Sequence, residues 1–195
     1  MTQKINQEVL FAGGLKGSDE LAGLPVTPGT GTTVASRKAK AVQHYQLYMS
    51  GASIAVDESD DYGSVKICDL PDTNIHLLGV EVNLTLTKGG TTNGIVAATD
   101  LDVGVGTAAA SATTLATTMI DIIEKADLDT NALAVEFEAH TQGQSTATMP
   151  KQIGDGASSA LYLNAVAVGG ITASDTISVT GTVDLYYVDL GNEIS

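Results

Sequence analysis

Leu78-Gly79-Val80-Glu81-Val82-Asn83-Leu84-Thr85-Leu86-Thr87 alternates along its whole length. Leu78, Val80, Val82, Leu84 and Leu86 fall on one side, and Gly79, Glu81, Asn83, Thr85 and Thr87 on the other. Successive side chains of a strand point to opposite faces, so this stretch predicts a strand with one face in a core and one in water. The same period recurs outward in both directions. Residues 41–49 and 64–69 read as strands before it, with Asp57-Glu58-Ser59-Asp60-Asp61 as a turn between them. After it, Lys88-Gly89-Gly90 and Asn93-Gly94 mark turns. Leu101, Val103 and Val105 alternate with Asp102, Gly104 and Gly106, and Leu133, Val135, Phe137 and Ala139 alternate with Ala134, Glu136 and Glu138. Residues 143–159 are rich in Gly, Ser and Thr and read as a long loop. The stretch 161–168 is apolar on both faces, which predicts deep burial or an interface. Ile177, Val179, Val183, Leu185 and Tyr187 share a face of the last strand, and Gly181 between them marks a bulge or a bend.

One segment departs from the period. Ala108, Ala112, Leu115, Met119, Ile122 and Ile123 recur at three- and four-residue steps, which predicts a packing helix over about 111–125. Ser111 or Thr107 would cap it. The whole pattern, with some eight strands, one short helix and no alternation of strand and helix, predicts an all-β, antiparallel β-sandwich of jelly-roll type. Residues 1–40 differ from 41–195. Gly13-Gly14, Gly17, Gly23, Pro25, Pro28, Gly29 and Gly31 interrupt Leu10, Phe11, Leu15, Leu21 and Leu24, so this part reads as an extended N-terminal arm ahead of the sandwich domain.

The chain has 195 residues and a formal net charge of −14, from 23 acidic and 9 basic side chains. That length is enough for a sizeable core. Phosphate and anionic lipid are both repelled by such a surface, so neither nucleic acid nor membrane is an expected partner. The basic residues Arg37, Lys38 and Lys40 form the one cationic cluster, a solvated patch or a contact for an acidic partner. The opening MTQKINQEVLFAGG has no apolar core behind a basic stretch, so no secretory signal is expected. No apolar run approaches membrane-spanning length.

Chemistry is sparse. The single cysteine, Cys68, reads as a small apolar strand residue. His44, His76 and His140 are far apart and match no metal-binding spacing. Asp57, Ser59 and Asp61 fit the first positions of a calcium loop, but Tyr62 and Cys68 stand where Gly and Glu belong. Gly104-x-Gly106 lacks a third glycine, and neither a nucleophile elbow nor a P-loop is present. No pair among the acidic residues is marked out as a glycosidase couple. Asn83-Leu84-Thr85 matches a glycosylation sequon without a secretory signal beside it. Six tyrosines, Tyr45, Tyr48, Tyr62, Tyr162, Tyr186 and Tyr187, offer a sugar-stacking platform or core and interface packing. The reading is a non-enzymatic protein with no cofactor, no metal and no catalytic residue.

Several stretches carry a family resemblance. These are Gly79-Val80-Glu81-Val82, Leu101–Gly106, the Thr/Ala-rich segment, Gly154-Asp155-Gly156 followed by Leu161-Tyr162-Leu163-Asn164, and the closing Ile171–Val183. In them the chain resembles the jelly-roll decoration, cement and head-fibre proteins of tailed bacteriophages, over a little more than half its length. The resemblance implies a structural virion protein, made in the host cytoplasm, that binds the major capsid protein and stabilises the shell. It also implies a homotrimer. The acidity favours the outer surface, since DNA inside would repel the chain. Leu10, Phe11, Leu15, Leu21, Leu24, Arg37, Lys38 and Lys40 in the arm, with Tyr162 and Val166 on the two-sided strand, are the candidate capsid or subunit contacts. A carbohydrate-binding module, or a fibre- or tail-associated adhesion domain, is the other function this sequence suits.

Overall fold

The computed structural model of the chain describes residues 27–38, 42–128, 131–141, 149–153 and 159–191. Among them are eleven strands: β1 Thr27–Pro28, β2 Thr32–Lys38, β3 Gln43–Val56, β4 Tyr62–Asp69, β5 Asn74–Lys88, β6 Asp100–Gly106, β7 Ile123–Leu128, β8 Ala134–His140, β9 Lys151–Ile153, β10 Ala160–Val168 and β11 Asp175–Gly191. One sheet runs β1-β4-β10-β6-β7 and the other β2-β3-β11-β5-β8, with β9 beside β5. Eight of these strands form four nested antiparallel pairs, β3–β11, β4–β10, β5–β8 and β6–β7. The β11–β5 and β10–β6 pairings then roll this long hairpin into two sheets. That is the double-sheet jelly roll.

Alternation builds the core. Leu47, Met49, Ile54, Val82, Leu84, Leu86, Phe137, Leu163, Ile177, Val183 and Leu185 are all buried between the sheets. Tyr45 and Tyr187 join them, their rings 6.1 Å apart and nearly parallel. Full burial of such side chains stabilises by about 1.5–3 kcal/mol each, which makes this shared face the main source of stability.

Two bulges correct the register read from sequence. In β5, Gly79 faces Tyr186 and Leu77 faces Tyr187, so Leu78 is an extra residue with no partner in β11. The inward face therefore changes parity there: Leu77 is fully buried, whereas Leu78 is 38% exposed rather than in the core. A strand with two residues opposite one must do this, because its side-chain period is two. The other bulge is in β3: Val179 faces Ala52 and Thr180 faces Ser50, so Gly51, at φ +89°, is the extra residue, while Gly181 of β11, at φ +129°, stays in register with Met49 and Leu84. A Cβ at Gly181 would lie 2.2 Å from the Asn83 carbonyl oxygen, so glycine there allows the close approach of β5. Leu133, expected on the core face, precedes β8 and is exposed.

The expected helix is absent. Residues 107–122 form an irregular strap whose only helical part is a 3₁₀ turn, Thr117–Met119, and 123–128 are strand β7. Thr113, Thr114, Thr117, Thr118, Ile120, Ile122 and Ile123 are β-branched, which weakens helix propensity. Thr117 sits at φ +50° and breaks any continuous helix. The apolar spacing is real, but it serves a strap lying flat on a sheet.

Two strands lie ahead of residue 40. Thr27–Pro28 pairs with Cys68–Asp69 of β4, and β2 lies along β3 from Thr32–Met49 to Lys38–His44. This part of the supposed arm belongs to both sheets. The rest of it, residues 1–26, lies outside the described residues, as does Gly154-Asp155-Gly156. The loop predicted at 143–159 contains β9, which pairs with Ile75–Leu77.

Candidate functional site

Each sheet has an outer face, and the two are finished differently. On the five-stranded sheet the strap covers β10 and β6. Asn164 of β10 is fully buried and holds it: its Oδ1 accepts from Ala110 N at 2.8 Å, and its Nδ2 donates to the carbonyls of Ala108 at 3.0 Å and Met119 at 2.7 Å. Gly104 and Gly106 of β6 leave room for it, since a Cβ at Gly106 would lie 2.2 Å from the Thr118 carbonyl oxygen. Leu115, Met119 and Val166 form a small second cluster beneath the strap. The Thr107 N–H and hydroxyl both donate to Asp121, and Lys151 Nζ lies 2.7 Å from the same carboxylate. The strap therefore covers the outer face of β10 around Asn164 and Val166, while Val168 at its end is 44% exposed. Val166 is 3% exposed and Tyr162 is half-buried.

At one end of the sandwich the acidic turn meets the 171–175 and 89–95 segments. Asp57, Asp60, Tyr62, Ser174 and Asp175 line an open cleft of about 400 Å³. Asp57 and Asp175 there, and the neighbouring Asp61, hold backbone. Asp57 Oδ1 accepts from the Ser59 N–H at 2.9 Å and the Ser59 hydroxyl at 2.7 Å, bonds that hold its carboxyl below the usual range. Asp61 Oδ1 accepts from Ile171 N at 2.8 Å. Burial pushes the Asp175 carboxyl up, but the N–H groups of Thr176, Ile95 and Thr91 outweigh it and hold that carboxyl low. These carboxylates act as loop knots. No group of three or more His, Cys, Asp or Glu poised for a metal occurs among the described residues.

The outer face of the six-stranded sheet is polar and open. His44 of β3, Asp184 and Tyr186 of β11, and Glu81 and Gly79 of β5 meet there through strand register. His44 Nε2 lies 2.7 Å from Asp184 Oδ1, and Gln46 Nε2 donates to the same carboxylate at 3.3–3.4 Å. The His44 and Tyr186 rings stack at 4.4 Å, 2° from parallel. Burial, then the charges of Asp184 and Glu81, push the Tyr186 hydroxyl above its ordinary range. Next to this row, Glu81, Asn83, Glu138 and His140 border an open hollow of about 250 Å³ between β5 and β8.

The structure sorts the sequence candidates. Of the three histidines, His44 is engaged on this face, and His140 stands opposite Glu81 on the same face. His76 pairs with Val188 near the start of β5. Of the six tyrosines, Tyr45 and Tyr187 are core, Tyr62, Tyr162 and Tyr186 are half-buried, and Tyr48 is exposed. Cys68 is buried and its thiol is pushed up to about 12 by burial. Leu10, Phe11, Leu15, Leu21, Leu24 and Lys40 lie outside the described residues, and Arg37 and Lys38 occupy β2. The cluster at His44, Asp184 and Tyr186 was missed from sequence, although the adjacent Tyr186-Tyr187 pair carried a signal: in a strand one ring of such a pair must face out.

No family model matches the chain, and no curated protein does. Two solved viral structures are similar to it. One is the cryo-EM structure of Broad Bean Stain Virus, at 12% identity and a TM-score of 0.39, covering 84% of this chain and 48% of that one. The other is the crystal structure of the infectious bursal disease virus VP2 subviral particle, at 10% identity and a TM-score of 0.39, covering 74% of this chain and 32% of that one. The chain spans less than half the length of either.

Proposed function

We propose that this protein is a non-enzymatic structural component of a virion that binds the outside of the shell and stabilises it. The observation that carries the reading is the double-sheet jelly roll, an architecture shared by viral capsid and lectin domains. The resemblance of its strand and turn segments to phage decoration proteins points the same way. The partner is the major capsid protein. The charge of −14 favours the outer surface, where packaged nucleic acid does not oppose it.

With β1 and β2 built into the sandwich, the tether is the segment before them, residues 1–26. Its Leu10, Phe11, Leu15, Leu21 and Leu24 supply apolar surface whose burial offsets the entropy of ordering a tether on a shell. The self-association expected as a trimer rests on the resemblance, because the strap takes up the apolar face of β10 that suggested it. Exposed Val42, Leu133, Val168 and Leu190 are apolar side chains available to a subunit contact.

The test is deletion of residues 2–25, which leaves both edge strands in place. The truncated chain keeps the sheet signature in circular dichroism and no longer co-sediments with shells stripped of their surface protein. Unchanged co-sedimentation refutes the tether. Failure of the intact chain to bind stripped shells refutes the function.

A further inference from the structure

We propose that the protein meets the shell with the end of the sandwich where Val42, Leu78 and Leu190 stand exposed, and that this patch seats on apolar surface of the major capsid protein flanked by acidic groups. The inference rests on the shell-binding reading above and names the surface that carries it. Strand register gathers the patch from three strands. Leu78 is the extra residue of β5 between the partners of Tyr186 and Tyr187, and Leu190 is passed over in the same way between Asp189 and Gly191 of β11. Val42 comes just before Gln43, which faces Tyr187 from β3. All three are exposed, and half-buried Tyr186 and Val188 of β11 continue the patch. Apolar side chains gathered in one place on a surface mark a contact for a partner.

Two observations say which partner. Residues 1–26 enter the fold at this end, because Thr27 faces Asp69, and residues 70–73 join Asp69 to Asn74, which faces Gly191. A tether that grips the shell therefore starts beside the patch. The charges divide along the same axis. Asp57, Glu58, Asp60, Asp61 and Asp175 gather in and around the cleft at the far end. Arg37 and Lys38 of β2 lie at the near end, in register with Tyr45 and His44. That basic pair attracts acidic groups on a partner, and the far carboxylates are repelled by them. Leu133 and Val168, exposed at the far end, remain for a subunit contact.

Single cysteines read the orientation directly, because Cys68 is buried and a buried thiol is inert. Full-length Leu190→Cys and Leu133→Cys are treated with a maleimide, first free and then on shells stripped of their surface protein. Both label when free. On shells the labelling of Leu190→Cys is lost and that of Leu133→Cys is unchanged. Leu190→Glu weakens co-sedimentation about tenfold, the factor that one apolar side chain contributes when a partner buries it. Val42→Glu does the same and serves if Leu190→Glu does not fold, whereas Leu133→Glu leaves binding as it was. Labelling of Leu190→Cys on shells, or protection of Leu133→Cys in its place, overturns the proposal while shell binding itself stands. Protection of Leu190→Cys in the free protein assigns the patch to a contact between copies and overturns it too. An intact chain that does not bind stripped shells refutes the function, and this inference with it.

Discussion

Asn164→Ala removes the side chain that fastens the 107–122 strap to the sheet. Its amide makes three hydrogen bonds to backbone groups of Ala108, Ala110 and Met119 at a position with no solvent exposure. At about 1 kcal/mol net for each, the loss is about 3 kcal/mol, and more where the carbonyls stay dry and unpartnered. The Ala110 N–H is cushioned, because Ser64 Oγ lies 3.2 Å away as a second acceptor. The two carbonyls therefore carry most of the cost. Asn164→Asp costs more than alanine, since a carboxylate cannot donate to them and sets a buried charge against two oxygens. Urea denaturation followed by tyrosine fluorescence measures the loss, and amide exchange locates it. Exchange over 107–122 speeds up in Asn164→Ala while the β3, β5 and β11 amides keep their protection relative to global unfolding. Leu115→Ala, which empties the cluster under the strap, combines with Asn164→Ala less than additively, because either change alone releases the same segment. A loss below about 1 kcal/mol with unaltered exchange in the strap refutes this account of how it is held.

Gly106→Ala destabilises more than Gly104→Ala: the new Cβ meets backbone of Thr118 and Met119 at Gly106 and chiefly the Ile120 side chain at Gly104, and thermal melts rank the two. Gly181→Ala costs at least about 1 kcal/mol, from a positive φ and a Cβ 2.2 Å from the Asn83 oxygen, as urea midpoints record. Cys68 gives an alkaline signature. Its folded pKa is raised from 9.0 to about 12, so the stability it contributes is fully present below pH 9 and is lost as pH rises from 9 toward 12. The full loss is about 4 kcal/mol at 1.36 kcal/mol per pH unit, and Cys68→Ala flattens the stability profile over that window.

Strand existence and facing were legible in the sequence wherever one face is dry and the other wet. Along Val80–Leu86 and Ile177–Tyr187 the alternation of side chains is itself the energetic cause of the fold, and a local pattern suffices to reveal it. The jelly-roll class followed from the number of such strands and the absence of crossover helices. Three features waited for the tertiary structure. The parity change at Leu78 depends on a bulge set by the partner strand β11, and nothing in β5 alone announces it. The strap over 107–122 carries helical spacing, yet it is fixed by Asn164, Gly104 and Gly106, which lie outside it in sequence, and its β-branched residues tilt the local balance their way. The two-sided apolar strand β10 forecast burial correctly, but whether its second face meets another subunit or the chain's own strap is a question of who covers it. The site at His44, Asp184 and Tyr186 belongs to the same class. Its residues stand 140 positions apart, and only strand register brings a ring against a ring and leaves a glycine opposite.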